Sequence, residues 1–193
     1  GVHALPRHPG IYEINTWVWL GELSRKYQTP VNLATVPEQE WDAIAALGLD
    51  AVWFMGVWER SPAGIEISMR NPGLLEDFRR ALPDFAAPDN VGSPYCVRRY
   101  VVDAHLGGAE ALAVARRRLA DRGVRLILDF VPHHVAPDHP WVKEHPEWFR
   151  RRPDGTIQYA ENPPKKYQDI YPFDFDSPAW RALWDALLDV TLF

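Results

Sequence analysis

The sequence predicts an α/β fold in which a parallel sheet is covered by helices, and three observations predict it. A strand, helix, Gly, strand order opens the chain, and its helix, Gly, strand part is written again further on. The strands that follow each glycine, DAVWFM at 50–55 and VRLILDFV at 124–131, are short and almost continuously apolar, as in sheets buried on both faces. Long segments, 56–106 and 132–176, follow the C-terminal ends of those strands, and long loops inside a compact domain are usually functional.

Each element has its own local reason. Residues 11–16 (IYEINT) alternate apolar and polar side chains and predict a first strand, which runs into Trp17, Val18 and Trp19. Residues 22–34 read as an irregular loop. Thr35-Val36-Pro37-Glu38 has capping-box spacing with a proline in the first turn, which announces a helix. Trp41, Ile44, Ala45 and Leu47 give that helix one apolar face, and Gly48 ends it. The second strand follows at 50–55. Gly107 and Gly108 open a helix over 110–121 with Leu112, Ala115 and Leu119 on one face, Gly123 ends it, and the third strand occupies 124–131. Ser177 and Pro178 form an N-cap and N1 pair for a last helix. Its apolar side is Trp180, Leu183, Trp184, Leu187, Leu188 and Thr191. The pattern is unfinished at Phe193, so these 193 residues are expected to be part of a larger domain.

Composition excludes several classes. With 47% hydrophobic and 24% charged residues the chain is ordinary globular protein. A net charge of −5 without a basic run argues against nucleic acid. The RRR runs at 116–118 and 150–152 sit beside acids and read as solvated surface. No apolar run approaches the ~18 residues of a membrane span, and no secretory signal is visible. The lone Cys96 excludes an internal disulfide framework and fits a reducing compartment, so a cytoplasmic location is expected. Nine tryptophans imply a large core or flat binding platforms. Trp41 and Trp53 fit a core. Trp58, Trp141 and Trp148 fit it less well, because they stand among polar loop residues.

Three clusters could carry chemistry. Asp129 ends the third strand, and His133 and His134 follow it. A carboxylate there is paired or faces a site; a structural Asp capping the loop is the plainer alternative. Metal binding by His133, His134, Asp138 and His139 is disfavoured, since their spacing matches no zinc pattern. In Gly92-Ser93-Pro94-Tyr95, a turn presents an aromatic ring that could lie against a sugar or tuck into the core. In Asn162-Pro163-Pro164-Lys165-Lys166-Tyr167-Gln168-Asp169, two prolines stiffen a polar cluster that suits a phosphate or a polyhydroxyl ligand; solvated surface lysines are the alternative.

Taken together the motifs resemble glycoside hydrolase family 13, the α-amylase family, over nearly the whole chain. IYEINTWVW resembles that family's first barrel strand, and VWFMGVWERSP its second strand and following loop. SPYCVRRYVVDAHLGG resembles the segment before the third strand, and LDFVPHHVAPDHPW the first conserved region, commonly Asp-x-x-x-Asn-His. The resemblance implies an incomplete (β/α)8 TIM barrel: strands 1–3 with the long βα loops 56–106 and 132–176, the whole of 1–193 being an N-terminal portion of the catalytic barrel. A closed barrel takes ~250 residues, and its active site lies on the loops after the strands.

By resemblance Asp129 is the buried Asp that organises the site, His134 hydrogen-bonds the bound sugar, and Tyr95 stacks under it. His133 replaces the usual Asn, which in many members supports a calcium, so no metal is expected there, and no cofactor. Arg99 stands where many members have Asp, which implies an altered local network. The segment 138–176 resembles the bacterial maltosyltransferases that use maltose 1-phosphate, where residues matching Asn162, Lys165 and Tyr167 contact the donor phosphate. INTWVWLGELS and GSPYCVRRY resemble glycosidase members instead. The expected function is retaining hydrolysis or transfer on α-glucans or maltooligosaccharides, with the catalytic carboxylates outside this chain. The alternatives are maltosyl transfer from maltose 1-phosphate and a non-catalytic carbohydrate-binding fragment. A homodimer is left open.

Overall fold

The computed structural model describes residues 4–84, 86, 90–162 and 165–189, and side chains outside 160–166. The strands and helices run, in chain order, β1 (Ile11–Asn15), α1 (Thr16–Tyr27), α2 (Glu38–Ala45), β2 (Ala51–Met55), β3 (Trp58–Arg60), α3 (Pro62–Met69), α4 (Pro72–Ala81), β4 (Val97–Val102), α5 (Gly108–Ala120), β5 (Arg125–Leu128), β6 (His134–Val135), α6 (Pro140–Glu144), β7 (Ala160–Asn162), β8 (Lys165–Tyr167), β9 (Tyr171–Pro172) and α7 (Trp180–Asp189). They divide into two compact units, one of residues 1–57 and 101–129, the other of 58–100 and 130–193. No helix among the described residues is long and apolar enough to cross a membrane.

The first unit holds the parallel sheet, in the order β1-β2-β5, with Ile14 opposite Phe54 and Phe54 opposite Leu128. Three parallel strands with helical crossovers form an unclosed sheet of the barrel type. Its core is aromatic. Trp19 stacks on Phe54 at 5.7 Å and meets Trp41 edge-on at 5.5 Å. Trp41, Val52, Phe54, Leu33 and Leu119 are buried.

Two expectations fail here. Residues 22–27 continue a helix and are not loop. The Asn15 side chain caps α1 on the Val18 N–H, and Leu20 and Leu23 bury one stripe of it. The apolar run Trp17–Trp19 hides that stripe in the sequence. Thr35 does not cap α2 either. Its hydroxyl accepts from Asn32 N–H at 2.9 Å inside a turn, and the helix starts at Glu38 behind Pro37 with no side-chain cap.

The second unit is built from the two long segments, which carry secondary structure of their own. β3 pairs with β4, β6 with β9, and β7 with β8. Val135, Trp148, Phe149, Phe173, Leu183 and Leu187 form one apolar cluster, and Trp141 packs against it. Trp58 and Trp148 are each 4% exposed, so both are core residues and not platforms. Polar neighbours in sequence misled here, because β3 and the short helical turn at Pro146–Trp148 turn those rings inward. The last helix starts at Trp180, later than the Ser-Pro pair suggests. Ser177 Oγ accepts from Ala179 N–H at 3.2 Å and donates to Glu147 O at 2.9 Å. Leu183 and Leu187 are buried, while Trp180, Trp184 and Leu188 are exposed; Thr191 lies outside the described residues.

Candidate functional site

In the first unit, Asp129 follows β5 directly and is 8% exposed. Its Oδ1 accepts from the Trp53 indole N–H at 2.6 Å, and its Oδ2 from the Gly56 backbone N–H at 2.5 Å. Charge-assisted bonds of this kind offset the desolvation of a buried carboxylate. They also tie the end of β5 to the end of β2. The sequence named the carboxylate but assigned its indole partner to apolar packing.

In the second unit, the turn carrying Tyr95 meets the segment carrying His134. Tyr95 N–H donates to Ser93 Oγ and Cys96 N–H to Ser93 O, both at 3.2 Å, which shapes the turn and leaves Tyr95 40% exposed. His134 Nε2 lies 3.1 Å from Tyr95 O, and its Nδ1 lies 3.0 Å from His133 Nδ1. Burial pushes the His134 pKa down to about 4, with His133 adding to the shift and the Tyr95 carbonyl opposing it. Cys96 clamps the same turn from the other side, its thiol donating to Asp169 O at 3.0 Å. Burial pushes that thiol up to about 12, so it stays protonated and acts as a donor. Gly64 in α3 makes room for it, since a Cβ there would stand 2.5 Å from the sulfur. Burial also raises the Asp169 carboxyl.

β7 and β8 form an antiparallel hairpin in which Asn162 is the register partner of Lys165. The side chains of Asn162 and Lys165, and residues 163 and 164, lie outside the described part. Tyr167 ends β8 with its ring partly exposed. It borders a cavity of about 770 Å³ between α3, α4 and residues 90–93, whose walls include Asn71, Leu74, Phe78, Asn90 and Asp169. Read as loop, 56–106 gave no sign of this cavity in the sequence. The proline-led turns Ser61-Pro62 and Asn71-Pro72, each an N-cap with Pro at N1, were the available signal.

The disfavoured metal cluster has other employment. His139 is buried, and its Nδ1 accepts from Trp141 N–H at 3.1 Å. Asp138 accepts from Ser61 Oγ at 2.6 Å. No group of three or more His, Cys, Asp or Glu among the described residues stands ready to hold a metal ion. Arg99 is engaged with an acid: its guanidinium holds Glu59 at 2.5 and 3.0 Å, and Arg98 holds the same carboxylate at 2.9 Å. The Arg99 hydrogen bond is the main reason Glu59 lies below the usual carboxylate range.

No family model matches the chain. The alpha-1,4-glucan:maltose-1-phosphate maltosyltransferase of Methylacidiphilum infernorum is 38% identical over 156 residues, covering 78% of this chain and 21% of that protein. The enzyme of the same name from Chlorobaculum tepidum is 46% identical over 113 residues, 56% of this chain and 17% of that protein. The chain therefore spans about a fifth of the length of these relatives. An alpha-amylase from Lactobacillus plantarum superposes over 95% of this chain and 35% of its own, with TM-score 0.68 and 22% identity, a likeness of fold. The alpha-glucosyl transfer enzyme XgtA does so over 95% of this chain and 33% of its own, with TM-score 0.59 and 18% identity. Extended sequence identity and a shared strand–helix framework agree: the chain is homologous to the α-amylase family, glycoside hydrolase family 13, and within it to the maltosyltransferase branch.

Proposed function

We propose that the full-length protein transfers maltosyl units from maltose 1-phosphate to an α-1,4-glucan. The observation that carries this reading is the 38% identity to a maltosyltransferase over 156 residues, 78% of this chain. Hydrolysis of α-glucan, the broader expectation, rests on likeness of fold alone.

The chemistry follows the family's retaining scheme. A carboxylate nucleophile attacks C1 of the donor, the C1–O bond to phosphate breaks, and a glycosyl-enzyme forms. The 4-hydroxyl of a glucan end then attacks C1, gives its proton to the second carboxylate and releases the nucleophile. Both carboxylates belong to residues outside this chain. What this chain contributes is binding and orientation. Tyr95 offers a flat ring to a glucose face. Asp129 holds the strand ends in place. Asn162, Lys165 and Tyr167 supply an amide, a cation and a phenol to the donor phosphate, the donor set a dianion selects. A cytoplasmic location fits the single, buried, reduced Cys96.

The test is phosphate release by the full-length protein. Release from maltose 1-phosphate should require added glucan, with lengthening of that glucan. Lys165→Ala should raise KM for the phosphorylated donor ~10-fold or more and leave disproportionation of plain maltooligosaccharides within ~2-fold, as expected for one lost charged contact. Equal loss on both substrates rejects a phosphate-reading Lys165. Glucan hydrolysis with no use of the phosphate ester rejects the transferase.

A further inference from the structure

We propose that the cavity between α3, α4 and residues 90–93 is a binding site for an uncharged glucan chain, and that its lining keeps out the phosphorylated end of the donor. That the neutral polyhydroxyl chain is an α-glucan rests on the proposed function; the selection against anions does not.

The cavity has an apolar wall that the fold does not use. Leu74, Phe78 and Leu82 follow one another a turn apart along α4 and its C-terminal end, and Ile67 of α3 joins them. α4 buries no residue, and Leu74 and Leu82 are 39% and 42% exposed. The opposite wall is pinned in place without a ligand. Asn90 Nδ2 donates to Ser68 Oγ at 2.7 Å, Asn90 Oδ1 accepts from Gly92 N–H at 3.1 Å, and Arg60 Nη1 donates to Gly92 O at 2.7 Å. A site held open in this way saves a ligand the entropy of ordering it. Its volume, about 770 Å³, lies within the ~300–1,000 Å³ of small-molecule sites and has room for a short oligosaccharide.

Charge decides what kind of ligand fits. Asp77 and Asp169 line the cavity, and no Lys, Arg or His does so among the described residues. Arg80, on the same helix as Asp77, is held by Glu76 at 2.9 Å and by Asp77 at 3.8 Å. A phosphate dianion is drawn to cations and repelled by carboxylates, so this lining rejects it. A wholly apolar ligand fails for the opposite reason, because it would desolvate the amides and Asp169 without pairing them. Asn71 spends its Oδ1 on the Gly73 and Leu74 N–H groups, at 3.0 and 3.2 Å, which leaves its Nδ2 to donate. Gln168 adds a second amide, and the half-buried Asp169 adds an acceptor. Burial raises the Asp169 carboxyl, and a hydroxyl donating to it offsets that desolvation. A glucan meets both demands. Its C–H faces suit Leu74, Phe78 and the Tyr167 ring, and its hydroxyls suit Asn71, Gln168 and Asp169. Ser93, which shapes the Tyr95 turn, and Tyr167, at the end of β8, both line the cavity, so it adjoins the residues assigned to sugar and phosphate.

The experiment is hydrogen–deuterium exchange on the full-length protein, with maltohexaose and, separately, inorganic phosphate as probes. Maltohexaose should slow amide exchange in α3 and α4, and phosphate should not. Leu74→Glu and Leu74→Lys, at an exposed position that tolerates either charge, should each raise the maltohexaose concentration that half-protects α4 by ~10-fold or more, because a charge then faces the apolar side of the sugar. Leu74→Met should leave that concentration within ~2-fold. Phosphate slowing exchange in α3 and α4 overturns the selection against anions. Half-protection unchanged in both charged variants overturns the site. So does exchange in α4 that maltohexaose leaves unaltered, the result expected if another part of the full-length chain covers the cavity. If maltohexaose protects α3 and α4 while maltose 1-phosphate is no donor, the transferase reading falls and the glucan site stands; if the donor is used and α3 and α4 stay unprotected, the site falls and the transferase stands.

Discussion

His139 shows how a single side chain links a loop to the pH response of the fold. It is 6% exposed, caps α6 through Nδ1 on the Trp141 N–H, and packs on the Trp141 ring at 4.7 Å. Burial pushes its pKa down to about 4, against an ordinary 6.5, with Asp138 opposing the shift. Between those two values the unfolded chain takes up a proton that the folded chain refuses. Stability should therefore fall as pH is lowered from about 6.5 to about 4, by up to roughly 3 kcal/mol from this group. His139→Asn keeps a capping oxygen and removes the titration. Its urea midpoint should fall less across that window than the unmodified protein's; parallel curves would show that His139 is not the group responsible. The sequence set His139 beside Asp138 and left a ligand cluster with His133 and His134 as a disfavoured alternative. Only the fold directs its lone pair to a backbone amide.

At the scale of elements, turn chemistry was legible wherever it was local. Gly48, Gly107 and Gly123 all have positive φ, at the helix boundaries the sequence assigned them. They differ in what surrounds them. At Gly107, φ is +103° and an added Cβ would meet the Ala111 Cβ at 2.4 Å. At Gly123, φ is +73° and the space is open. Gly107→Ala should cost about 2–4 kcal/mol, from a clash with a buried helix as well as backbone strain. Gly123→Ala should cost about 1 kcal/mol, from strain alone. Denaturant midpoints of the two variants check this, and equal losses would mean that the close approach at Gly107 is relieved at no cost. Two of the elements that sequence misread share a cause. α3 buries one residue and α4 none, so a clean 3.6-residue apolar stripe was never required of them.

On the scale of the whole molecule, the proposed chemistry takes both of its carboxylates from residues outside these 193. The 193-residue chain is therefore expected to release neither phosphate from maltose 1-phosphate nor reducing sugar from a maltooligosaccharide. Measurable turnover by the purified chain would show that one of its own acids is catalytic and would undo the division of labour proposed above.

The sequence by itself determined the parallel strands, the helix just before β2 and the helix just before β5, and the candidates Asp129, Tyr95 and His134. Those features are written in short-range codes, apolar runs, caps and glycines, which act over a few residues. Tertiary structure alone decided the partners. Asp129 receives an indole 76 residues away, and His134 reaches a carbonyl 39 residues away. It also turned Trp58 and Trp148 into core. No local propensity encodes such meetings. They follow from which surfaces close on one another when the apolar faces are buried, and that closure leaves each polar group only the partners within its reach.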